Sequence, residues 1–328
     1  MMFDTIPTVP TADELLDRSF RRAAKKMRKK NNKDRANEEF VRAITQAVHD
    51  KLVAIIQSFP EFHTLPPFYR DLVDILFDIE EMRKAFGAVG WAAWHTRDKG
   101  KEIAKTMRHS PDSLAARKQA VARIASMVHQ IDKDLRFLND ARNILRKLPV
   151  VSPDEFTVVI AGYPNVGKSS FIRLVSTATP EVASYPFTTK GVVVGHRQVT
   201  RRERIQFIDT PGILDTGGRV ERNRIERQAL NALIYVADLI VFIIDASAHC
   251  GYDLETQELL LEEVRELAKV PIIVVANKSD LARYEVEGVL NMSTVTGEGV
   301  EEVLEAALKE RTPSTTPIPE YTLPENLR

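Results

Sequence analysis

Cysteine, glycine and long apolar runs are all scarce in this chain of 328 residues. Cys250 is the only cysteine, so a disulfide within the chain is impossible, and a reducing compartment, the cytoplasm, is expected. The longest apolar run, residues 239–244, has the length of a strand. Spanning a bilayer takes about 20 apolar residues, so no membrane association is expected.

Glycine is also unevenly distributed, with only Gly87, Gly90 and Gly100 in the first 150 residues and the other 11 later. Few glycines and long stretches without proline predict a helical first half. The predicted helices cover residues 12–30, 35–58, 67–85, 88–109 and 112–148. Pro149 and Pro153 mark a linker, after which strands alternate with helices, a pattern typical of a mostly parallel sheet.

Residues 162–169 (GYPNVGKS) fit the pattern G-x-x-x-x-G-K-[ST], a loop whose backbone N–H groups surround a nucleotide's phosphates. A short β-branched run, FTVVIA, precedes the loop, and a helical pattern follows it. This strand–loop–helix context makes the motif a strong prediction of a nucleotide site. The expected phosphate-loop contacts are Gly162, Tyr163, Pro164, Asn165, Val166, Gly167, Lys168, Ser169 and Ser170.

A second polar segment, Asn277-Lys278-Ser279-Asp280, follows another apolar strand and predicts the choice of base. The Asp280 carboxylate can accept from the N1–H and the exocyclic amine of guanine, whereas adenine presents an acceptor at N1. Asn277 is expected to tie this loop to the phosphate loop, and the Lys278 stem to lie over the base. The sequence therefore predicts a site for GTP and GDP.

Magnesium ligands are expected at three positions. Asp209, in the segment Asp-Thr-Pro-Gly that ends at Gly212, is predicted to hold Mg²⁺ through water, while the Gly212 N–H contacts the γ-phosphate. Ser169 supplies one hydroxyl ligand. Thr189 is chosen for the second because its spacing resembles that of Obg-type GTPases, with Thr188 as the alternative.

The residue after Gly212 is Ile213, which cannot orient an attacking water as the glutamine of Ras-like proteins does. Asn165 resembles the asparagine that holds K⁺ in cation-activated GTPases, although asparagine also favours turns. The expected catalytic set is Lys168, Asn165, Thr189 and Gly212. An alternative source of positive charge is the arginine group Arg219, Arg222, Arg224 and Arg227.

A net charge of zero conceals a strong asymmetry, +8 over residues 1–150 and −8 over the rest. Ten of the eighteen residues 18–35 are basic and one is acidic. This basic arm predicts phosphate-backbone binding, with anionic lipid or a solvated helix face as the alternatives. The expected RNA contacts are Arg21, Arg22, Lys25, Lys26, Lys29 and Lys30.

The segments GYPNVGKSSFI, SYPFTTKGVVVGH, DTPGILD, RNRIERQALNAL and VVANKSD resemble the nucleolar GTP-binding protein family, a branch related to Obg. PTADELLDRSFRRA and FPEFHTLPPFYRDLVDILFD extend this resemblance into the first half, so that it covers most of residues 5–310. The chain lacks the long C-terminal extension of eukaryotic members and looks like an archaeal form, so nucleolar targeting is not carried over. Ser293 and Thr294 fall where the family's last guanine-contact loop usually has Ser-Ala.

The resemblance implies a helical-bundle domain, residues 1–150, and a Ras-like α/β P-loop GTPase domain with a mostly parallel sheet, residues 151–311. A proline-rich tail, residues 312–328, is expected to follow. The implied role is a slow GTPase switch in assembly of the large ribosomal subunit, stimulated by K⁺ or by the ribosomal particle. The implied partners are rRNA and ribosomal proteins, and the free protein is expected to be a monomer. The alternative is a scaffold that binds GTP without hydrolysing it.

Overall fold

The computed structural model describes residues 3–28, 33–107, 112–183, 191–201, 203–210 and 236–311. The chain divides into two compact units, with the first boundary after Val150. The first unit is helical, and the second contains a seven-stranded sheet with helices packed against it. The fold is therefore an N-terminal helical domain followed by an α/β domain.

Six α-helices build the helical unit within the described residues. Helix α1 begins where Thr11 caps the backbone N–H of Glu14, whose side chain caps Thr11 in return. Helix α2 packs along α1, α4 and α5, burying an apolar core. The helix bounds are α1 Ala12–Met27, α2 Lys33–Ser58, α3 Pro67–Phe77, α4 Ile79–Met107, α5 Ser113–Gln130 and α6 Asp132–Leu145, with a 3₁₀ turn at Phe62–Thr64.

Two of the predicted helix boundaries are wrong. The break expected near Gly87 lies instead at Asp78, which has φ +57° and accepts from the N–H of Glu80, starting α4. The helix predicted over 112–148 breaks at Ile131, whose φ of −102° and ψ of 11° are not helical, and the adjacent Asp132 accepts the N–H of Ala12 at 2.7 Å. Gly87 lies within the continuous helix α4, and the break at Asp78 is set by a local side-chain cap.

Gly87 and Gly100 allow a matched test of helix α4. A methyl at the exposed Gly87 would meet nothing within 4 Å, whereas one at Gly100 would lie 2.2 Å from Thr45 Oγ1. Alanine is favoured over glycine in helices by about 1 kcal/mol, so Gly87→Ala should raise the free energy of unfolding by about that amount. Gly100→Ala should lower it. Urea unfolding followed by tryptophan fluorescence checks both, and a destabilised Gly87→Ala would contradict this packing.

The sheet has the strand order β2-β3-β4-β1-β5-β6-β7, all parallel in the pairs β1–β4, β1–β5, β5–β6 and β6–β7, with β3 antiparallel to β4. Strands β1 and β5 are central and almost wholly buried, as their β-branched sequences predict. The bounds are β1 Phe156–Ala161, β2 Glu181–Ala183, β3 Val192–Gln198, β4 Arg204–Asp209, β5 Leu239–Asp245, β6 Ile272–Asn277 and β7 Leu290–Asn291.

Three helices of the described residues belong to this second unit: α7 Lys168–Val175, α8 Leu254–Leu267 and α9 Val300–Lys309. Helix α7 packs on β3 and β4, α8 on β5, and α9 on α7 and β6. Because β1, β4, β5 and β6 run parallel, their carboxyl ends meet at one edge of the sheet. The motif segments leave the strands at that edge.

Candidate nucleotide-binding site

The phosphate loop connects β1 to α7 and has a backbone that few residue types adopt. Gly162, Asn165 and Gly167 have φ of +136°, +61° and +106°. A Cβ on Gly162 would lie 2.3 Å from the carbonyl oxygen of Ile243, and one on Gly167 would lie 2.0 Å from Asn277 Nδ2. Only glycine fits these two positions, while asparagine tolerates the left-handed region at 165. Such a loop presents backbone N–H groups to an anion.

Lys168, the first residue of α7, is folded across this loop and is only 6% exposed. Its ammonium donates to the carbonyl oxygens of Gly162, at 2.9 Å, and Tyr163, at 2.7 Å. The positive charge is thereby held at the helix N-terminus, beside the loop's N–H groups. A buried cation in this place suits the phosphates of a nucleotide.

A hydroxyl and a carboxylate meet where Ser169, in the first turn of α7, approaches Asp209, at the end of β4. The Ser169 hydroxyl donates to Asp209 Oδ2, and Asp209 is fully buried. No group of three or more histidine, cysteine or acidic side chains suited to a metal occurs in the described part of the chain. Mg²⁺ characteristically takes one or two protein oxygens and completes its shell with phosphate and water, so this pair fits it.

Asn277, 1% exposed at the end of β6, joins three loops. Its Nδ2 donates to the carbonyl oxygen of Val166 at 2.7 Å and to Thr294 Oγ1 at 3.1 Å. Its Oδ1 accepts from the backbone N–H of Thr294 at 2.9 Å. The predicted link between the base loop and the phosphate loop is present, and it includes the loop at 293–294.

Asp280 is exposed, and a buried serine orients it. The Ser293 hydroxyl donates to Asp280 Oδ1 at 2.5 Å and accepts the N–H groups of Val295 and Thr296 at 3.3 and 3.2 Å. The turn at 293–296 therefore fixes the carboxylate against the end of β6. An oriented, solvent-facing carboxylate can accept from two adjacent donors of one base.

Asp245, which none of the sequence motifs indicates, forms an ion pair with Lys278. Lys278 has φ +62°, and its Nζ lies 2.6 Å from Oδ2 of the fully buried Asp245. Burial opposes ionisation of Asp245, but hydrogen bonds from Lys278 and Ser247 outweigh it and hold the pKa of this carboxyl below its ordinary value. No local sequence pattern indicates this pair; it follows from the strand register, which places Asp245 opposite Asn277 across β5 and β6.

Tyr252 is a second residue that motif reading missed. Its ring stacks on that of Tyr163, with centroids 4.2 Å apart and an angle of 30° between the planes. Tyr163 is 4% exposed, so this residue of the phosphate loop packs against the segment before α8. Of its neighbours in the loop, Val166 is buried, Pro164 and Ser170 are half-buried, and Asn165 is exposed.

Several predicted residues lie outside the described ranges: Thr188, Thr189, Gly212, Ile213, Lys29, Lys30 and the four arginines at 219, 222, 224 and 227. On α1, the four other predicted RNA contacts are exposed, namely Arg21, Arg22, Lys25 and Lys26. Arg21 Nη2 lies 3.9 Å from Asp17 Oδ2, a solvent-exposed pair of small energetic weight.

Two family models match the chain. Residues 3–152 match the NOG1 N-terminal helical domain, and residues 157–278 match a 50S ribosome-binding GTPase. The chain is 43% identical over 294 residues to the protein MJ1408 of Methanocaldococcus jannaschii, a match that covers 86% of this chain and 82% of that protein. It is 38% identical over 250 residues to nucleolar GTP-binding protein 1 of Drosophila melanogaster, covering 75% of this chain but 38% of that protein.

A crystal structure of nucleolar GTP-binding protein 1 from Plasmodium falciparum is 33% identical in sequence, with a TM-score of 0.43, and covers 50% of this chain and 89% of that one. The chain spans about half the length or less of most of the eukaryotic relatives it matches.

The prediction of a cytoplasmic protein is wrong by these comparisons, because the eukaryotic relatives are named for the nucleolus. No helix within the described ranges has the length and apolar character needed to cross a membrane. The first half matches the NOG1 N-terminal helical domain and the second half matches a GTPase domain, in the order that the motifs predict. The chain belongs to the nucleolar GTP-binding protein family and carries its GTPase domain.

Proposed function

We propose that the chain binds GTP with Mg²⁺, hydrolyses it to GDP and phosphate, and acts as a switch in assembly of the large ribosomal subunit. The observation that carries the proposal is Asn277, whose side chain joins the phosphate loop, the base loop and the loop at 293–294 into one site. Guanine selection and phosphate binding are thereby coupled through a single buried amide.

Each side chain has a role that follows from its position. Lys168 neutralises charge on the β- and γ-phosphates, and Asp280 accepts from guanine while Ser293 orients it. Ser169 and Asp209 would hold Mg²⁺, which draws charge from the phosphates. Thr189 and Gly212 stay predictions for the second metal ligand and the γ-phosphate contact.

Hydrolysis needs a water whose oxygen attacks the γ-phosphorus while the bond from that phosphorus to the bridging oxygen breaks. GDP leaves with the electron pair, and the water's proton ends on the released phosphate. Ile213 cannot orient this water. Asn165 is the candidate to hold K⁺, which would stabilise the charge that develops at the phosphates. One of the arginines at 219, 222, 224 and 227 is the alternative source of positive charge beside the phosphates.

Asn165 can be tested separately as a turn former and as a cation ligand. Because its φ is +61°, Asn165→Gly should preserve the turn while removing the amide oxygen. We expect wild-type GTP turnover to be about tenfold or more faster in KCl than in NaCl, and Asn165→Gly to lose that difference.

The control for Asn165→Gly is unchanged GDP affinity, which shows an intact loop. Equal turnover in the two salts for the wild type would remove K⁺ from the proposal and leave the arginines or the ribosomal particle. A turnover rate equal to the no-protein control in both salts, with and without ribosomal particles, would favour the non-catalytic scaffold instead.

We propose that the protein is a monomer when free and that it binds rRNA and ribosomal proteins of the precursor particle. The basic arm supports the RNA part, because Arg21, Arg22, Lys25 and Lys26 are exposed on one end of α1. A cluster of charges of one sign favours binding to a phosphate backbone, because an ordinary solvated helix face carries charges of both signs.

Neutralising the six arm residues tests this part. Glutamine at positions 21, 22, 25, 26, 29 and 30 should reduce the slope of log affinity for RNA against log salt by about 4, at about 0.7 for each single-stranded phosphate contact. A control variant carries glutamine at Arg42, Arg136, Arg265 and Arg283, each of which is paired with a carboxylate. An unchanged slope in the arm variant would favour the alternative interpretation, in which the arm is a solvated helix face.

A further inference from the structure

The chain has two tryptophans, and both lie exposed in the middle of α4. Trp91 is 43% exposed and Trp94 is 60% exposed. Aromatic side chains are enriched at binding interfaces, and contiguous exposed apolar patches mark interaction sites. Neither ring is used by the nucleotide site or by the basic arm.

His95 completes a group of three rings, here called the aromatic platform. Its ring centroid lies 4.4 Å from that of Trp91 and 4.8 Å from that of Trp94. Its Nδ1 lies 3.0 Å from the carbonyl oxygen of Trp91, and because a carbonyl only accepts, Nδ1 carries the hydrogen. One turn earlier, Gly87 leaves the surface open, since even a Cβ there would touch nothing. The His95 ring is thus fixed against the helix backbone, and the surface one turn before Trp91 is unobstructed.

Cations without a carboxylate partner follow the platform along α4. Elsewhere on this helix the charges are paired, as Arg83 with Glu80, Lys84 with Glu81 and Lys99 with Glu102. Three exposed cations form no ion pair in the described residues. These cations are Arg97, Lys101 and Lys105. The carboxylates in the same stretch are Asp98 and Glu102, and Glu102 pairs with Lys99.

Helix geometry places these cations beside the rings. Residues three, seven and eleven positions after Trp94 lie about 5, 10 and 16 Å further along the axis, and the last two stay near the same face. A protein partner's binding centre is depleted of charged residues, whereas single-stranded nucleic acid combines stacked bases with a charged backbone. The unpaired cations beside exposed rings therefore favour RNA over an apolar protein surface.

We propose that the aromatic platform binds an unpaired stretch of RNA, with bases stacked on Trp91 and Trp94 and phosphates contacting Arg97, Lys101 and Lys105. Stacking on ring faces takes any base, so the site selects single strands over duplex without reading sequence. The inference rests on the proposed association with ribosomal RNA and adds a site separate from the basic arm.

Intrinsic tryptophan fluorescence reports on this surface alone, because the chain has no other tryptophan. We expect a single-stranded oligouridylate of about ten nucleotides to quench the fluorescence of the full-length protein, and an RNA duplex of equal length to leave it nearly unchanged. Quenching by both to the same extent, or by neither, would overturn the proposal. Absence of quenching would favour a protein as the partner of the platform.

Variants of the rings and cations are measured with a fluorescein-labelled oligouridylate. Trp94→Ala should weaken binding by about tenfold or more, and Trp94→Phe should restore most of it, because the aromatic face is what matters. Lys101→Gln with Lys105→Gln should lower the salt slope by about 1.4. Equal affinity of wild type, Trp94→Ala and Trp94→Phe would contradict stacking. Trp94 is exposed, so thermal melting of each variant should match the wild type and exclude misfolding.

The arm variant separates this site from the proposed function. With the arm neutralised, quenching of Trp91 and Trp94 by oligouridylate should persist, although overall RNA affinity falls. Loss of particle binding with retained quenching would count against the ribosomal role and not against the platform. Loss of quenching in the arm variant would overturn the separate site, because the rings would then depend on the arm.

Discussion

Lys168→Ala should weaken the affinity for GTP by about 100-fold to 1,000-fold. The Lys168 ammonium is buried beside the loop and donates to the carbonyl oxygens of Gly162 and Tyr163, from where it can reach the phosphates. A hydrogen bond to a charged group contributes about 1.5–3 kcal/mol, so two such bonds to the phosphates contribute about 3–6 kcal/mol, and the expected change in affinity corresponds to the lower part of that range. Calorimetric titration with GTP in the presence of Mg²⁺ measures the change.

Two controls make the Lys168 result specific. Lys269→Ala changes an exposed lysine away from the loop and should bind GTP as the wild type does. Thermal melting without nucleotide shows whether the domain still folds when the two hydrogen bonds to carbonyl oxygens are removed. A folded Lys168→Ala protein with wild-type GTP affinity would show that the phosphates bind elsewhere.

Asp280→Asn should change the preferred base from guanine to xanthine. The Asp280 carboxylate can accept from both the N1–H and the amine of guanine, and Ser293 fixes its orientation at 2.5 Å. An asparagine amide presents one acceptor and one donor. Its NH₂ group would face the guanine amine, but it would pair with the carbonyl oxygen that xanthine carries at the same position. We expect GTP affinity to fall by about 100-fold or more, and XTP affinity to rise.

Competition between GTP and XTP for a fluorescent guanine nucleotide measures this change. Ser293→Ala is a second variant with a smaller expected effect, because it removes only the hydroxyl that orients the carboxylate. It should weaken GTP binding less than Asp280→Asn and leave the preference for guanine intact. An Asp280→Asn protein that still prefers GTP would disprove the assigned base pocket.

The parts of the site that could be predicted from sequence are those in which a short segment determines its own backbone. Gly162 and Gly167 have positive φ within a loop of fixed length, so the pattern alone predicts their place. Strands β1, β4, β5 and β6 are short apolar runs whose burial follows from their composition. Strands β1 and β5 lie where the runs FTVVIA and 239–244 predict them, to within about one residue.

Features that depend on contacts distant in sequence were not predictable in this way. The Asp245–Lys278 ion pair requires β5 to lie beside β6, which no local pattern specifies. The stacking of Tyr163 on Tyr252 likewise joins two loops. The contact of Asp132, beside the break at Ile131, with the N–H of Ala12 is also distant in sequence. The break at Asp78 is a local cap, but intrinsic propensity favoured a break at Gly87 instead.

The exposed tryptophans show a different limit. Helical spacing places Trp91 and Trp94 on α4, but the same spacing would allow either ring to be a core residue. Their exposure follows only from the packing of α4 against α2, which buries Val89, Ala92 and Ala93 instead. A binding surface of this kind is therefore visible in the folded domain and not in the motif pattern.

Association of the GTP form with the large ribosomal subunit is the central claim, and gradient co-sedimentation tests it most directly. Full-length protein is mixed with cell-extract ribosomal particles and Mg²⁺, with either a non-hydrolysable GTP analogue or GDP. We predict that the analogue-bound protein sediments with large-subunit particles and that the GDP-bound protein stays near the top of the gradient. Protein that stays at the top with both nucleotides, or that sediments equally with small-subunit particles, would contradict the claim.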